Sequence, residues 1–159
     1  MVVILHHIRS VYNVGSIFRT ADALGVEKIY LTGITPSPLD RFGNVRKDFK
    51  KVSLGAEKTM SWEKIKNINA LIQHLKKEKY QIVAVEQSKK SVPYFKLKVK
   101  NEKLKVALIL GNEVKGLPKN ILAYTDTVLE IPMRGKKESL NVAIAFAIVG
   151  YHLVFCQKK

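Results

Sequence analysis

Residues 2–25, VVILHHIRSVYNVGSIFRTADALG, hold a short apolar run followed by a helical pattern. The run at 2–8 is of strand length and rich in β-branched residues. Behind it, Val14, Ile17, Phe18, Ala21 and Leu24 recur at a spacing that gathers them on one face of a helix. Asn13 suits the N-cap of that helix, and Gly25 suits the position just past its end. Arg19 falls off the apolar stripe, so it projects toward solvent or a site. Further Val- and Ile-rich runs lie at 28–32, 81–85, 105–110 and 127–131, with helical patterns between them. This alternation predicts an α/β fold with a mainly parallel sheet flanked by helices.

A second helix is expected from residue 62 to about residue 79, with Ile65, Ile68, Leu71, Ile72 and Leu75 on one side. Lys64, Lys66, Lys76 and Lys77 lie largely elsewhere, as on a scaffold helix with a solvated face. The last helix, from about Ser139, differs because residues 142–149 leave it no polar face. It must be buried on several sides, by its own domain and by a second subunit, which predicts a homodimer. The same stretch is broken by Asn141, Gly150 and His152 and is shorter than the ~20 apolar residues that span a bilayer. The N-terminus has no basic residue ahead of its apolar run, so it reads as a first strand and not as a signal peptide. The longest stretch without clear periodicity, residues 33–51, contains Pro36, Pro38 and Gly43, and a loop of that length is expected to be functional or disordered.

With 159 residues, the chain is expected to form one domain whose core needs no disulfide or metal staple. The single Cys156 fits a reducing, cytoplasmic compartment. Lys plus Arg number 28 against 13 Asp plus Glu, a net charge of +15, so a polyanion is the expected partner. A hydrophobic content of 47% excludes a disordered polybasic tail.

Three segments break the scaffold pattern. Residues 13–20, NVGSIFRT, place Asn, Gly and Arg where a strand gives way to a helix. Residues 108–117, LILGNEVKGL, run a buried strand into a polar loop flanked by glycines. That loop is no P-loop, because Leu117 and Pro118 stand where Lys and Ser or Thr are needed. No GxGxxG follows a strand either, which removes support for a dinucleotide oxidoreductase. Residues 131–143, IPMRGKKESLNVA, end a strand at a proline and open the apolar helix. Ser139 can cap that helix, leaving Asn141 inside its first turn in need of a partner. His6 and His7, adjacent on a strand, should face opposite sides, and with no Cys or Asp cluster nearby no metal site is expected. His152 is expected to be a packed, hydrogen-bonded histidine.

In this order and spacing, the three segments resemble the motifs of the SPOUT superfamily, specifically its SpoU/TrmH-like tRNA and rRNA ribose 2′-O-methyltransferases. The resemblance covers essentially the whole chain and implies a C-terminal deep trefoil knot that holds S-adenosylmethionine. It assigns Arg19 to the first-motif arginine implicated in catalysis and Asn13 to the asparagine that helps hold the site. Glu113 matches the acid of the second motif, and Ser139 and Asn141 match the polar pair of the third. The cofactor would be bound largely by backbone at Val85, Glu86 and Gln87, at Gly111, Asn112 and Glu113, and at Ile131, Met133 and Leu140. Many relatives carry an added RNA-binding domain, whereas here a single domain is expected.

In-line methyl transfer needs the donor and the ribose hydroxyl held in attack geometry, and a route for the hydroxyl proton. Arg19 is ill suited as a base, since a guanidinium keeps its proton to a pKa above ~12. It fits two other roles, gripping a phosphate or stabilising the alkoxide. Basic runs supply the RNA surface. Residues 41–51 contain Arg41, Arg46, Lys47, Lys50 and Lys51 against one acid, and residues 89–105 contain seven lysines, Lys89 and Lys90 first, against one acid. Arg9 joins this set. Two other classes compete: a silent RNA-binding or ribosome-associated module, against which the intact motif residues argue, and a base-nitrogen methylase, against which the segment from Asn13 to Arg19 weighs.

Overall fold

Alternate residues of the central strands belong to two separate cores. Val3 and Leu5 of β1 (Val2–His6) pack into one, and Val2 and Ile4 into the other. The same division holds in β6 (Lys105–Leu110), where Val106, Leu108 and Leu110 oppose Ala107 and Ile109. A sheet whose strands are apolar on both faces must be covered on both. The computed structural model describes residues 1–97 and 105–155. Its sheet has seven parallel strands: β1, β2 (Lys28–Thr32), β3 (Trp62–Ile65), β4 (Tyr80–Val85), β5 (Val92–Pro93), β6 and β7 (Thr127–Glu130). Their order is β3-β2-β1-β6-β4-β7-β5.

One face is covered by α1 (Val11–Ala23), α2 (Lys47–Ser53), α3 (Ala56–Thr59) and α6 (Val142–Phe155). The other carries α4 (Ile68–Lys77) and α5 (Lys119–Leu122). Among the described residues, no helix is long and apolar enough to cross a membrane.

Register brings the functional ends to one level. Leu5 pairs with Leu110, Leu110 with Val85 and Val85 with Leu129, so β1, β6, β4 and β7 finish side by side. Their following loops therefore meet outside the carboxyl edge of a parallel sheet, where such folds place ligands.

Several local expectations are corrected. Ser10, and not Asn13, caps α1: its Oγ accepts from Asn13 N at 3.3 Å, so the Asn13 side chain is not needed as the cap and bonds across the fold instead. The expected helix from residue 62 divides into β3 and α4, because residues 62–65 pair with β2 and Asn67 Oδ1 then caps α4 through Ala70 N at 3.1 Å. The last helix begins at Val142, and Asn141 is its cap, accepting from Ala143 N at 2.8 Å. His6 ends its strand while His7 turns to φ 57, so the two rings do not face opposite sides but meet edge-on with centroids 4.2 Å apart. The stretch at 33–51 is ordered by a bridge between Leu39 and Val45 and by the start of α2. His152 packs edge-on against Tyr94, with ring centroids 5.2 Å apart. Lys98, Lys100, Lys103 and Cys156 lie outside the described residues.

Candidate active site

Glu113 organises the junction of the three segments. Its carboxylate accepts from the backbone N–H groups of Arg9 (3.0 Å) and Ser10 (3.1 Å) and from Asn13 Nδ2 (3.1 Å). The Asn13 amide is used at both ends, since its Oδ1 accepts from Asn141 Nδ2 at 2.9 Å. Asn141 in turn caps α6. One chain of polar contacts thus ties the loop after β6 to the starts of α1 and α6. Burial pushes the Glu113 carboxyl up, but the donors at Arg9, Glu113 itself, Ser10 and Asn13 outweigh it and hold the group below its ordinary value. A carboxylate so engaged is a poor general base and a good anchor.

Beside this junction lies a cavity of about 290 Å³, close to the lower end of the range for small-ligand pockets. Its apolar walls include Val85, Leu110, Ile131, Met133, Leu140 and Val142, while Glu86, Glu113, Glu130 and Glu138 also line it. Four acidic residues around one cavity, in a chain of net charge +15, suit a ligand that carries positive charge beside apolar parts. Glu86 closes the floor, accepting from Leu117 N at 2.7 Å and from Gln87 N at 2.9 Å. Gly116 permits this: it sits at φ 64, and a Cβ there would lie 2.2 Å from Glu86 Oε2. Gln87 Nε2 donates to Glu138 O at 2.6 Å and so joins the loop after β4 to the segment before α6. Among the described residues, no three His, Cys, Asp or Glu gather as a metal site.

The profile of the SpoU rRNA Methylase family matches residues 1–151. The chain belongs to the SpoU methylase family. Similar curated proteins include a tRNA (guanosine(18)-2'-O)-methyltransferase of Borreliella burgdorferi, 35% identical over 108 residues, with 68% of this chain and 48% of that protein covered. The 23S rRNA (guanosine-2'-O-)-methyltransferase RlmB of Neisseria meningitidis is 28% identical, with 94% of this chain and 56% of that protein covered. The AdoMet-bound rRNA methyltransferase from Sinorhizobium meliloti superposes with a TM-score of 0.83 at 30% identity, covering 94% of this chain and 54% of that one. The TrmH/SpoU tRNA modifying enzyme of Aquifex aeolicus gives 0.83 at 27% identity, covering 99% and 74%. The chain therefore spans about half the length of these curated relatives.

Within this SpoU methylase chain, the expected site residues separate into groups. Asn13, Glu113 and Asn141 meet; Val85, Glu86, Gln87, Gly111, Asn112, Glu113, Ile131, Met133, Ser139 and Leu140 all line the cavity. Arg19 does not join them. It is exposed, six positions beyond Asn13, which is about 9 Å along α1 and two-thirds of a turn round its axis. Lys47, Lys50, Lys51, Lys89, Lys90 and Arg9 are exposed, whereas Arg46 is held bidentately by Asp48 at 2.9 and 3.1 Å. Arg41 lies over the ring of Phe42, which is 73% exposed at the tip of the basic loop. Glu130 and Glu138 were not anticipated as lining residues. The available signal was an acid at the end of an apolar strand and another in a basic loop.

Proposed function

We propose that this chain transfers a methyl group from S-adenosylmethionine to a ribose 2′-hydroxyl of tRNA or rRNA, acting in the cytoplasm as a homodimer. The observation that carries the reading is that the second and third motif segments line one acidic, apolar-walled cavity at the carboxyl edge of the sheet, while Asn13 of the first is hydrogen-bonded to Glu113 and Asn141 beside it. S-adenosylmethionine fits that donor set, and when bound it would supply an electrophilic methyl group on a sulfonium. Val85, Leu110, Ile131, Met133 and Leu140 would take its apolar parts, and the acidic residues of the lining would favour its positive charge. Threading of the C-terminal segment as a trefoil knot is part of the proposal, supported by the meeting of the loops after β4, β6 and β7 around one cavity.

Glu113, Asn13 and Asn141 act in this scheme as positioning residues, because their polar atoms are engaged with one another and with backbone. Arg19 is left to meet the RNA, as a phosphate grip or an alkoxide stabiliser. Since it stands apart from the cavity of its own chain, the reading has it serve the cavity of a second copy. The apolar side chains Tyr12, Ile144, Tyr151 and Phe155 on α1 and α6 are exposed and support pairing along these two helices.

Incubation with methyl-labelled S-adenosylmethionine and either tRNA or ribosomal RNA, followed by nucleoside mass spectrometry, tests the reading. A 2′-O-methylnucleoside is expected. Cofactor binding without incorporation would favour a silent RNA-binding module, and label on a base nitrogen would change the reaction class.

A further inference from the structure

A second cavity, of about 660 Å³, lies across the loop after β6 from the first. Asn112, Val114 and Gly116 line both, so the wall between them is one turn of chain. That turn is closed by Gly116 N donating to Asn112 O at 2.9 Å, with Asn112 Oδ1 accepting from Val114 N and Lys115 N. We propose that this second cavity receives the base of the nucleotide whose ribose is methylated. The inference rests on the function proposed above.

A ribose 2′-carbon is bonded to the carbon that carries the base, so a hydroxyl presented to the first cavity leaves its base only a few bonds away. The one-turn wall provides a neighbouring space at that separation. The lining chemistry fits as well. Ile34 is 61% exposed and Val114 is 83% exposed, bare apolar side chains that suit the faces of a heterocycle. Arg9 and Lys115 on the same rim supply two cations for the adjoining phosphates.

His7 is held in the wall of this cavity by its surroundings. Its backbone sits at φ 57, a left-handed conformation uncommon outside glycine, and such outliers persist where surrounding structure enforces them. Here Asn112 Nδ2 donates to His7 O at 2.8 Å, and Ile34 N donates to His7 Nδ1 at 3.4 Å. Gly33, at φ 62, makes room for the ring, since a Cβ there would lie 2.5 Å from His7 Cε1. The ring is thereby fixed in the cavity wall with Nδ1 occupied, leaving Nε2–H as a donor for a base edge.

The test uses Ile34→Glu, at an exposed position that lines only the second of these two cavities, with wild-type protein and S-adenosylmethionine. The variant should keep its cofactor affinity and melting temperature while its KM for RNA rises roughly tenfold or more, the size of one lost base contact. Once the methylated position is mapped, an RNA with hydrogen in place of the base there gives the decisive comparison. Ile34→Glu should make no further difference on that substrate. An unchanged KM, or an equal loss on intact and base-free RNA, would overturn the assignment while the proposed reaction stood. No ribose methylation by wild-type protein would overturn both.

Discussion

Asn141 Nδ2 donates to Asn13 Oδ1 at 2.9 Å, joining the cap of the last helix to the first turn of the first across 128 positions of chain. Asn13 passes the link to Glu113, so neither end of its amide is spare. Asn13→Ala should therefore cost about 0.5–1.5 kcal/mol, the net worth of a hydrogen bond between partners that solvent can reach, and should weaken S-adenosylmethionine binding. Asn13→Asp should cost more at neutral pH, because it sets a second carboxylate against Glu113, and the excess should shrink as the pH falls into the carboxylate range. Urea unfolding at both pH values, with calorimetry for the cofactor, checks this. Equal stability of the two variants at every pH would separate Glu113 from the network.

His6 gives a second pH signature. Its Nδ1 is hydrogen-bonded with the buried Thr32 Oγ1 at 2.9 Å. Burial, then the neighbouring His7, lowers its pKa from 6.5 to about 4. Between those values the unfolded chain binds more protons than the folded one, so stability should fall as pH drops through that window, by at most about 3 kcal/mol from this group. His6→Gln should flatten the fall, measured as the change in urea midpoint. An unaltered pH dependence would trace it to other groups.

The face of α1 was legible because five apolar side chains repeat at helical spacing, yet its cap lay three residues upstream. Ser10 and Asn13 are both capping residues, and only the tertiary contacts of Asn13 decide between them. β3 carries a helical pattern in the sequence because Trp62, Ile65 and Ile68 continue the helical phase of α4. Its pairing with β2 is a non-local fact with no local trace. The short helices α2, α3 and α5 carry too few turns for a periodic signal. At the site, contacts between residues 100 and 128 positions apart have no sequence signature of their own, and the three motif segments were found together through family resemblance.

Arg19→Ala should abolish most methyl transfer, by roughly a hundredfold or more, while leaving melting temperature and cofactor affinity in place. Its side chain is exposed and makes no hydrogen bond or ion pair among the described residues. If Arg19 serves a second copy, mixing two dead proteins restores activity. Leu140→Arg should block the cavity by adding a cation to its wall, and a heterodimer of Arg19→Ala with Leu140→Arg would keep one complete site. No recovery on co-expression, with mixed dimers demonstrated by mass, would assign Arg19 to its own chain. Light scattering should give about twice the 18.0 kDa of one chain, and Tyr151→Glu should halve it.

Lys47, Lys50 and Lys51 are exposed on α2, beside the tip that carries Arg41 and Phe42. Arg46 differs, because Asp48 already neutralises it, so it should contribute little to phosphate binding. Each lysine that neutralises a phosphate adds roughly 0.7–0.9 to the slope of log affinity against log salt. Replacing all three lysines with Ala should therefore lower the slope by about 2 to 3 and weaken RNA binding most at low salt. Arg46→Ala alone should change the slope far less than any single lysine. Cofactor affinity should not move in either variant, since none of these side chains lines the first cavity. Filter binding across a salt series measures both quantities. A triple variant with unaltered slope would make α2 a solvated face and shift the RNA surface toward Arg9, Lys89 and Lys90.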